Sequence, residues 1–229
     1  MFKKIDAAIL CGGFGTRLKS LSGNTPKSLM PISEKKIFID LLIEKIVKSK
    51  IFSNIFLCTH YRKELFEKYI KKNNTKLFIS QEHIPLGTSG ALKNLDKKKK
   101  FLNDNILVIN GDTSSDIDLH NFTKTFFSTK KNLMAFSFVK NADRYGKYKI
   151  IGKKIIREIK KDKNSGWINN GYYMLKKKDI YKFSYFSNLE RQLFKKTNFN
   201  NNLSAYKVLN DNFIDIGTTL DYLKFKNEK

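Results

Sequence analysis

The run Ile9-Leu10-Cys11-Gly12-Gly13-Phe14-Gly15-Thr16-Arg17-Leu18, with Pro26-Lys27 shortly after it, constrains this chain more than any other stretch. Ala7 to Leu10 reads as a buried strand that stops at two glycines, with a third just beyond Phe14. Glycine tolerates positive φ and carries no Cβ, so such a turn can set bare backbone N–H groups against a ligand. Thr16 to Leu21 predicts a short helix whose N-terminus favours an anion. Arg17 adds a fork of donors suited to phosphate, and Lys27 adds a second, compact charge. Together these describe a polyphosphate cradle. It is not a P-loop, because no Gly-Lys-Ser/Thr follows the glycines. Nor is it the dinucleotide fingerprint, because Thr16, Arg17 and Leu18 follow Gly13-Phe14-Gly15 where a third glycine is required.

The same stretch resembles the signature of the sugar-1-phosphate nucleotidyltransferases, of general form L-x-G-G-x-G-T-R-L…P-K. The resemblance implies that Leu10, Cys11, Gly12, Gly13, Gly15 and Thr16 hold a nucleoside triphosphate. It implies that Arg17 braces the departing pyrophosphate and that Lys27 grips the α-phosphate.

Composition limits the alternatives. At 229 residues the chain can bury one full α/β core. No segment approaches the roughly 20 apolar residues of a membrane span. Met1-Phe2-Lys3-Lys4 precedes only a short apolar run with no small-residue cleavage site, so no signal peptide is expected. Cys11 and Cys58 both fall in or beside buried strands, which predicts free thiols and a cytoplasmic protein. The net charge of +24 invites a nucleic-acid reading. Only five of the 45 basic residues are arginine, however, and the lysines are spread along the chain. Readers of nucleic acid concentrate charge on one face. The field here serves to collect anionic substrates.

Apolar periodicity predicts a helix over Ile37 to Val47, a strand over Asn54 to Cys58, a helix over Tyr61 to Lys71 and a strand over Lys76 to Ser80. With the first strand this is the βαβαβ pattern of a nucleotide-binding half, so the expected fold is α/β, a Rossmann-like, doubly wound, mostly parallel sheet. Gln81 to Leu92 follows the third strand, where such sheets meet their ligands. Its "PLGTSGAL" resembles the element that closes over the nucleoside in guanylyltransferase-type relatives, which implies nucleoside contacts from Gly87 and Thr88. Glu82 stands at the family's base-reading position. A carboxylate accepts from both N1–H and the 2-amino group of guanine, although it also accepts from a uracil N3–H. His60 and His83 read as structural or solvated.

Leu95 to Asn105 reads as a solvated turn carrying the Lys97 to Lys100 cluster, and Ile106 to Asp112 as a buried strand ending in an acid. Magnesium takes one or two carboxylates, with phosphates and water completing its shell. Asp112 suits that role or a helix cap, and Asp116 and Asp118 suit the cap better. "NGDT" and, a hundred residues on, "DIGT" resemble the two metal-binding elements of the family, which implies Mg²⁺ on Asp112 and Asp215. Tyr148–Ile151, Lys154–Ile159 and Trp167–Leu175 read as short strands forming a small β-rich lobe over one end of the sheet. "YG" at Tyr145-Gly146 and "INNGYY" at Ile168 resemble the sugar-site elements, implying sugar contacts from Gly146, Asn169 and Gly171. The family's Glu-Lys pair is altered here to Lys160-Lys161-Asp162-Lys163; Lys163 is the first choice for the sugar phosphate and Lys161 the second. "SNLERQLF" resembles a family helix and reads as a packing element.

The expected organisation is one nucleotidyltransferase unit over residues 1–229. Its nucleotide-binding half covers about 1–140 and its sugar-phosphate half about 141–229. Within the family, the motifs look most like the branch that joins GTP to a heptose 1-phosphate. The partners implied are a nucleoside triphosphate, GTP foremost, and a sugar 1-phosphate, with no nucleic acid and no membrane. The residues leave a homodimer open.

Overall fold

A computed structural model describes residues 5–73, 75–97, 103–159, 164–195 and 202–227. Strands β1 (Ile5–Leu10), β2 (Phe52–Thr59), β3 (Leu77–Gln81) and β4 (Asn105–Asn110) are parallel, with β1 between β2 and β4. The helices between them are α1 (Lys19–Ser22), α2 (Phe38–Ser49), α3 (Lys63–Lys72) and α4 (Gly87–Lys97). After β4 come a two-residue strand β5 (Thr113–Ser114), α5 (Leu119–Thr129) and β6 (Asn132–Val139). The hairpin β7 (Lys147–Ile151) and β8 (Lys154–Ile159) leads into β9 (Gly166–Lys176), α6 (Lys177–Ile180) and α7 (Leu189–Leu193). The chain continues through β10 (Leu203–Val208), β11 (Ile214–Asp215) and α8 (Thr219–Asn227).

The strands read as continuous apolar runs because both faces of the sheet are covered. Successive residues alternate between two cores. Ile55 and Leu57 of β2, with Leu107 and Ile109 of β4, pack with Phe38, Leu42, Phe66, Phe122 and Phe225 on one face. Phe56, Cys58, Ile106 and Val108 point to the other, against Ala91, Leu92, Leu95, Leu189 and Leu193. Helix α2 buries Phe38, Ile39, Leu42, Ile43 and Ile46. At about 1.5–3 kcal/mol for each such side chain, burial outweighs its N-terminal cap, in which Asp40 accepts from Ile37 N at 2.8 Å.

The structure departs from the sequence expectation in two places. Strand β9 is not part of an appended lobe: it lies in the middle of the main sheet, antiparallel to both β4 and β6. Its Tyr172 and Met174 enter one core, and its Tyr173 and Leu175 enter the other. Among the described residues β7 and β8 stand off the main path, and β5 and β11 form a separate two-stranded sheet. Leu95 and Asp96 are not in a solvated turn either, because α4 carries both into the interior.

Candidate active site

The parallel strands β1 to β4 all end at one edge, and backbone bonds keep the loops beyond them in register. Cys11 N donates to Cys58 O at 2.8 Å, Glu82 N to Thr59 O at 2.8 Å, and Gly111 N to Leu10 O at 3.0 Å. At this edge lies a pocket of about 400 Å³. Of the residues marked from sequence, it gathers Leu10, Cys11, Gly12, Gly13, Gly15, Lys27, Glu82, Gly87, Thr88 and Asp112. The segments that converge here run from Leu10 to Glu190 in sequence.

Gly15 has a φ of 64°, and a Cβ there would sit 3.2 Å from Lys27 Cγ. The glycine therefore lets the lysine stem pass against the loop. Lys27 Nζ meets Asp112 Oδ2 at 3.2 Å, so cation and carboxylate face the same space. Arg17, in the 3₁₀ turn Thr16–Leu18, is exposed, as is Thr16, and neither lines the pocket. Cys11 is buried; desolvation, reinforced by the Asp112 charge, pushes its thiol up to about 12 despite a hydrogen bond with Ser28. Such a thiol packs and does not react.

Glu82 is 5% exposed. Its Oε2 accepts from Leu86 N at 3.0 Å, and its Oε1 lies 3.2 Å from where a Cβ on Gly12 would be. Burial raises its pKa, while the Leu86 N–H and the nearby His60 oppose the shift. His60 itself meets Glu82 O through Nδ1 at 3.1 Å and packs edge-on to Phe14. This matches its structural reading, and His83 is exposed.

Gly87 opens α4 at a φ of 73°, where a Cβ would lie 2.4 Å from Ser187 O. Thr88 Oγ1 accepts from Leu189 N at 2.7 Å, and Ser89 Oγ donates to the carbonyls of Ser184 and Ser187. The "GTS" triplet therefore docks the start of α4 onto the loop before α7 while its other side faces the pocket. That docking brings Asn188 and Glu190 into the pocket wall. Glu190 is thus more than the packing residue its sequence suggested: its carboxylate accepts from Tyr173 OH and, at 2.9 Å, from Asn169 Nδ2. The sequence offered one signal for it, an acid just inside a helix capped by Asn188.

Asn169 and Gly171 are held inside this framework. Asn169 Oδ1 accepts from Gly171 N at 3.0 Å. Gly171 has a φ of 83°, and a Cβ there would come within 2.5 Å of Thr113 Oγ1. Neither residue lines the pocket, and Gly146 lies just ahead of β7. Lys161 and Lys163 fall outside the described residues.

Asp215 reaches the site by a second route. β11 pairs antiparallel with β5, setting Asp215 opposite Thr113, and Ile216 N donates to Asp112 O at 3.0 Å. The two aspartates therefore leave adjoining, paired backbone segments. Asp215 Oδ2 accepts from Tyr145 OH at 2.9 Å and Arg144 Nη2 at 3.2 Å, and its Oδ1 accepts from Gly217 N at 2.6 Å. Among the described residues no group of three or more His, Cys, Asp or Glu side chains comes together. Asp112 lines the pocket and Asp215 does not; carboxylates on two paired segments, one of them beside a phosphate loop, suit Mg²⁺, which takes one or two carboxylates and keeps substrate phosphates and water.

Comparison with known proteins identifies the family. The nucleotidyl transferase family matches residues 6–229. The chain belongs to that family. It is 34% identical, over 96% of its length and 98% of the relative's, to the D-glycero-alpha-D-manno-heptose 1-phosphate guanylyltransferase of Campylobacter jejuni. It is 32% identical over 98% of both chains to the enzyme of the same name from Aneurinibacillus thermoaerophilus. The crystal structure of HddC from Yersinia pseudotuberculosis complexed with GMP-PN superposes with a TM-score of 0.83 at 31% identity, covering 98% of this chain and 99% of that one. The fold is accordingly the α/β fold of the nucleotide-diphospho-sugar transferases. Among the described residues, no helix is long and apolar enough to cross a membrane.

Proposed function

We propose that this chain condenses GTP with D-glycero-α-D-manno-heptose 1-phosphate, giving GDP-heptose and pyrophosphate. The observation that carries the reading is the union of a buried carboxylate, Glu82, with the Gly12–Gly15 loop and Asp112 around one pocket, in a chain matched end to end by guanylyltransferases of that name.

An oxygen of the sugar 1-phosphate attacks the α-phosphorus of GTP in line. The bond from that phosphorus to the bridging oxygen of the β-phosphate breaks, and pyrophosphate leaves. Both partners arrive as anions, so positioning and charge stabilisation carry the catalysis. The Gly12, Gly13 and Gly15 backbone meets the triphosphate. Lys27, already directed at Asp112, holds the non-bridging α-oxygens, and Arg17 neutralises the pyrophosphate as it departs. Glu82 reads guanine. Asp112 and Asp215 would hold Mg²⁺, which when bound would supply Lewis-acid charge to the phosphates. Gly146, Asn169 and Gly171 frame the sugar, and the Lys161–Lys163 segment supplies positive charge to it. The reaction belongs in the cytoplasm of a bacterium, feeding a surface or capsular glycan.

Pyrophosphate release measured with each of four nucleoside triphosphates against a panel of sugar 1-phosphates tests the proposal. GTP with the heptose phosphate is expected to exceed every other pair. Preference for UTP or for mannose 1-phosphate refutes the specificity, and no release with any pair refutes the activity.

A further inference from the structure

We infer that Arg144 is the guanidinium that receives the phosphate of the acceptor sugar. The inference rests on the reaction proposed above, and it concerns a residue given no part in it. An acceptor dianion must approach an α-phosphate that is itself anionic, so a cation of fixed direction is needed beside the charge that the Lys161–Lys163 segment supplies. Lys27 is committed to the Asp112 side of the pocket. Arg17, in the Thr16–Leu18 turn, is exposed and does not line the pocket. Arg144 stands beside Asp215, immediately before the Tyr145-Gly146 pair at the mouth of the β7–β8 hairpin. The next cation along the chain, Lys147, is buried with its stem packed on Gly166.

The guanidinium is held through both terminal nitrogens. Nη1 donates to Thr218 Oγ1 at 3.0 Å and to Asp221 Oδ2, both at the start of α8. Nη2 donates to Tyr145 OH at 2.6 Å and to Asp215 Oδ2 at 3.2 Å. Its side chain remains 30% exposed. Thus one nitrogen is anchored on α8, while the other spans Tyr145 OH and Asp215 Oδ2. Were Asp215 to hold a divalent cation, Nη2 would give up its longer bond and keep the one to Tyr145, with Nη1 still on α8. A phosphate oxygen can then take the vacated direction with little further ordering of the side chain.

Composition points the same way. Only five of the 45 basic residues are arginines, and arginine differs from lysine in offering a planar fork of donors. At Arg144 four acceptors from three segments, Tyr145, Asp215 and the Thr218–Asp221 turn, use that fork.

The test is direct binding. Calorimetric titration of D-glycero-α-D-manno-heptose 1-phosphate, with Mg²⁺ and a non-hydrolysable GTP analogue present, compares wild type with Arg144→Gln and Arg144→Lys. Gln is expected to weaken sugar-phosphate binding about 30-fold, which converts to about 2 kcal/mol. Affinity for the GTP analogue should stay within about twofold. Lys, which keeps charge and loses the fork, should fall between. In steady state the Gln variant should raise KM for the sugar phosphate and not for GTP. Equal sugar-phosphate affinity in wild type and Arg144→Gln overturns the inference. So does an equal loss for both ligands with a lowered Tm, which is the mark of a merely structural clamp. If Arg144→Gln does not fold, Arg144→Lys alone decides by the same ratio. Turnover failing in a wild type whose sugar-phosphate binding still depends on Arg144 would count against the proposed reaction and not against this site. A wild type that binds no sugar phosphate overturns both.

Discussion

Replacing Glu82 by Gln isolates base reading from the rest of the site. The Glu82 carboxylate is 5% exposed and held by Leu86 N at 3.0 Å. A glutamine has one acceptor oxygen, and Leu86 N will claim it. The amide NH₂ then faces the guanine N1–H and 2-amino donors, donor against donor. Hydrogen bonds to a charged group are worth about 1.5–3 kcal/mol each. Allowing for non-additivity, the loss is about 3 kcal/mol, or about two orders of magnitude in kcat/KM for GTP. The assay compares GTP with ITP, which lacks the 2-amino group. Wild type should favour GTP, and Glu82→Gln should treat the two nearly alike. The pH dependence carries the same sign. Because burial raises the Glu82 pKa, KM for GTP should rise as pH falls toward that elevated value, and the Gln variant should show no such rise. Stability should move the other way. A carboxyl whose folded pKa is raised costs stability above that pKa, and the cost is relieved as pH falls through it. Glu82→Gln should therefore melt at or above the wild-type temperature at pH 8. A variant that retains the GTP-over-ITP preference refutes the assignment.

Three further substitutions address other parts of the site. Arg17→Ala should lower turnover at least about 100-fold, in line with loss of a group that stabilises leaving-group charge, while the circular dichroism spectrum is unchanged; near-normal turnover removes Arg17 from the reaction. Asp112→Asn should abolish divalent-dependent turnover. Its partly exposed pair with Lys27 is worth only about 0–1 kcal/mol, so Tm should fall by no more than about 4 °C, and an unfolded variant contradicts that estimate. Gly87→Ala places a Cβ 2.4 Å from a backbone oxygen at a φ of 73°. A cost above about 2 kcal/mol lowers Tm by about 4–8 °C and loosens the α4–α7 contact, to be read as faster hydrogen exchange at Ser89 and Leu189; an unchanged Tm means that the loop before α7 yields freely.

What the sequence made legible follows from locality. The phosphate loop, the first three strands and their helices are each specified within about ten residues, by glycines that need their backbone freedom and by apolar periods set by burial. The course of β9 was not legible in the same way. Its apolar run announces a strand, yet nothing within it says that Tyr173 pairs with both Val108 and Met134. Only the packing of two cores places it between strands that precede it in sequence.

Glu190 and Arg144 show the same limit in the site itself. Each is an ordinary charged residue in its local stretch, on a short helix in one case and in a turn in the other. Each acquires a role only through partners distant in sequence: Asn169 and Tyr173 for Glu190, Asp215 and Asp221 for Arg144. The glycines were visible because the backbone demands them at the position where they stand. The contacts of Glu190 and Arg144 are made with neighbours 17 to 77 residues away. A site built this way has two kinds of vulnerability. Changing Gly12, Gly15 or Gly87 should disturb the local backbone and with it every ligand at once. Changing Arg144 or Glu190 should alter the response to one substrate while the loop geometry stands, so separate titrations of GTP and sugar phosphate distinguish the two classes.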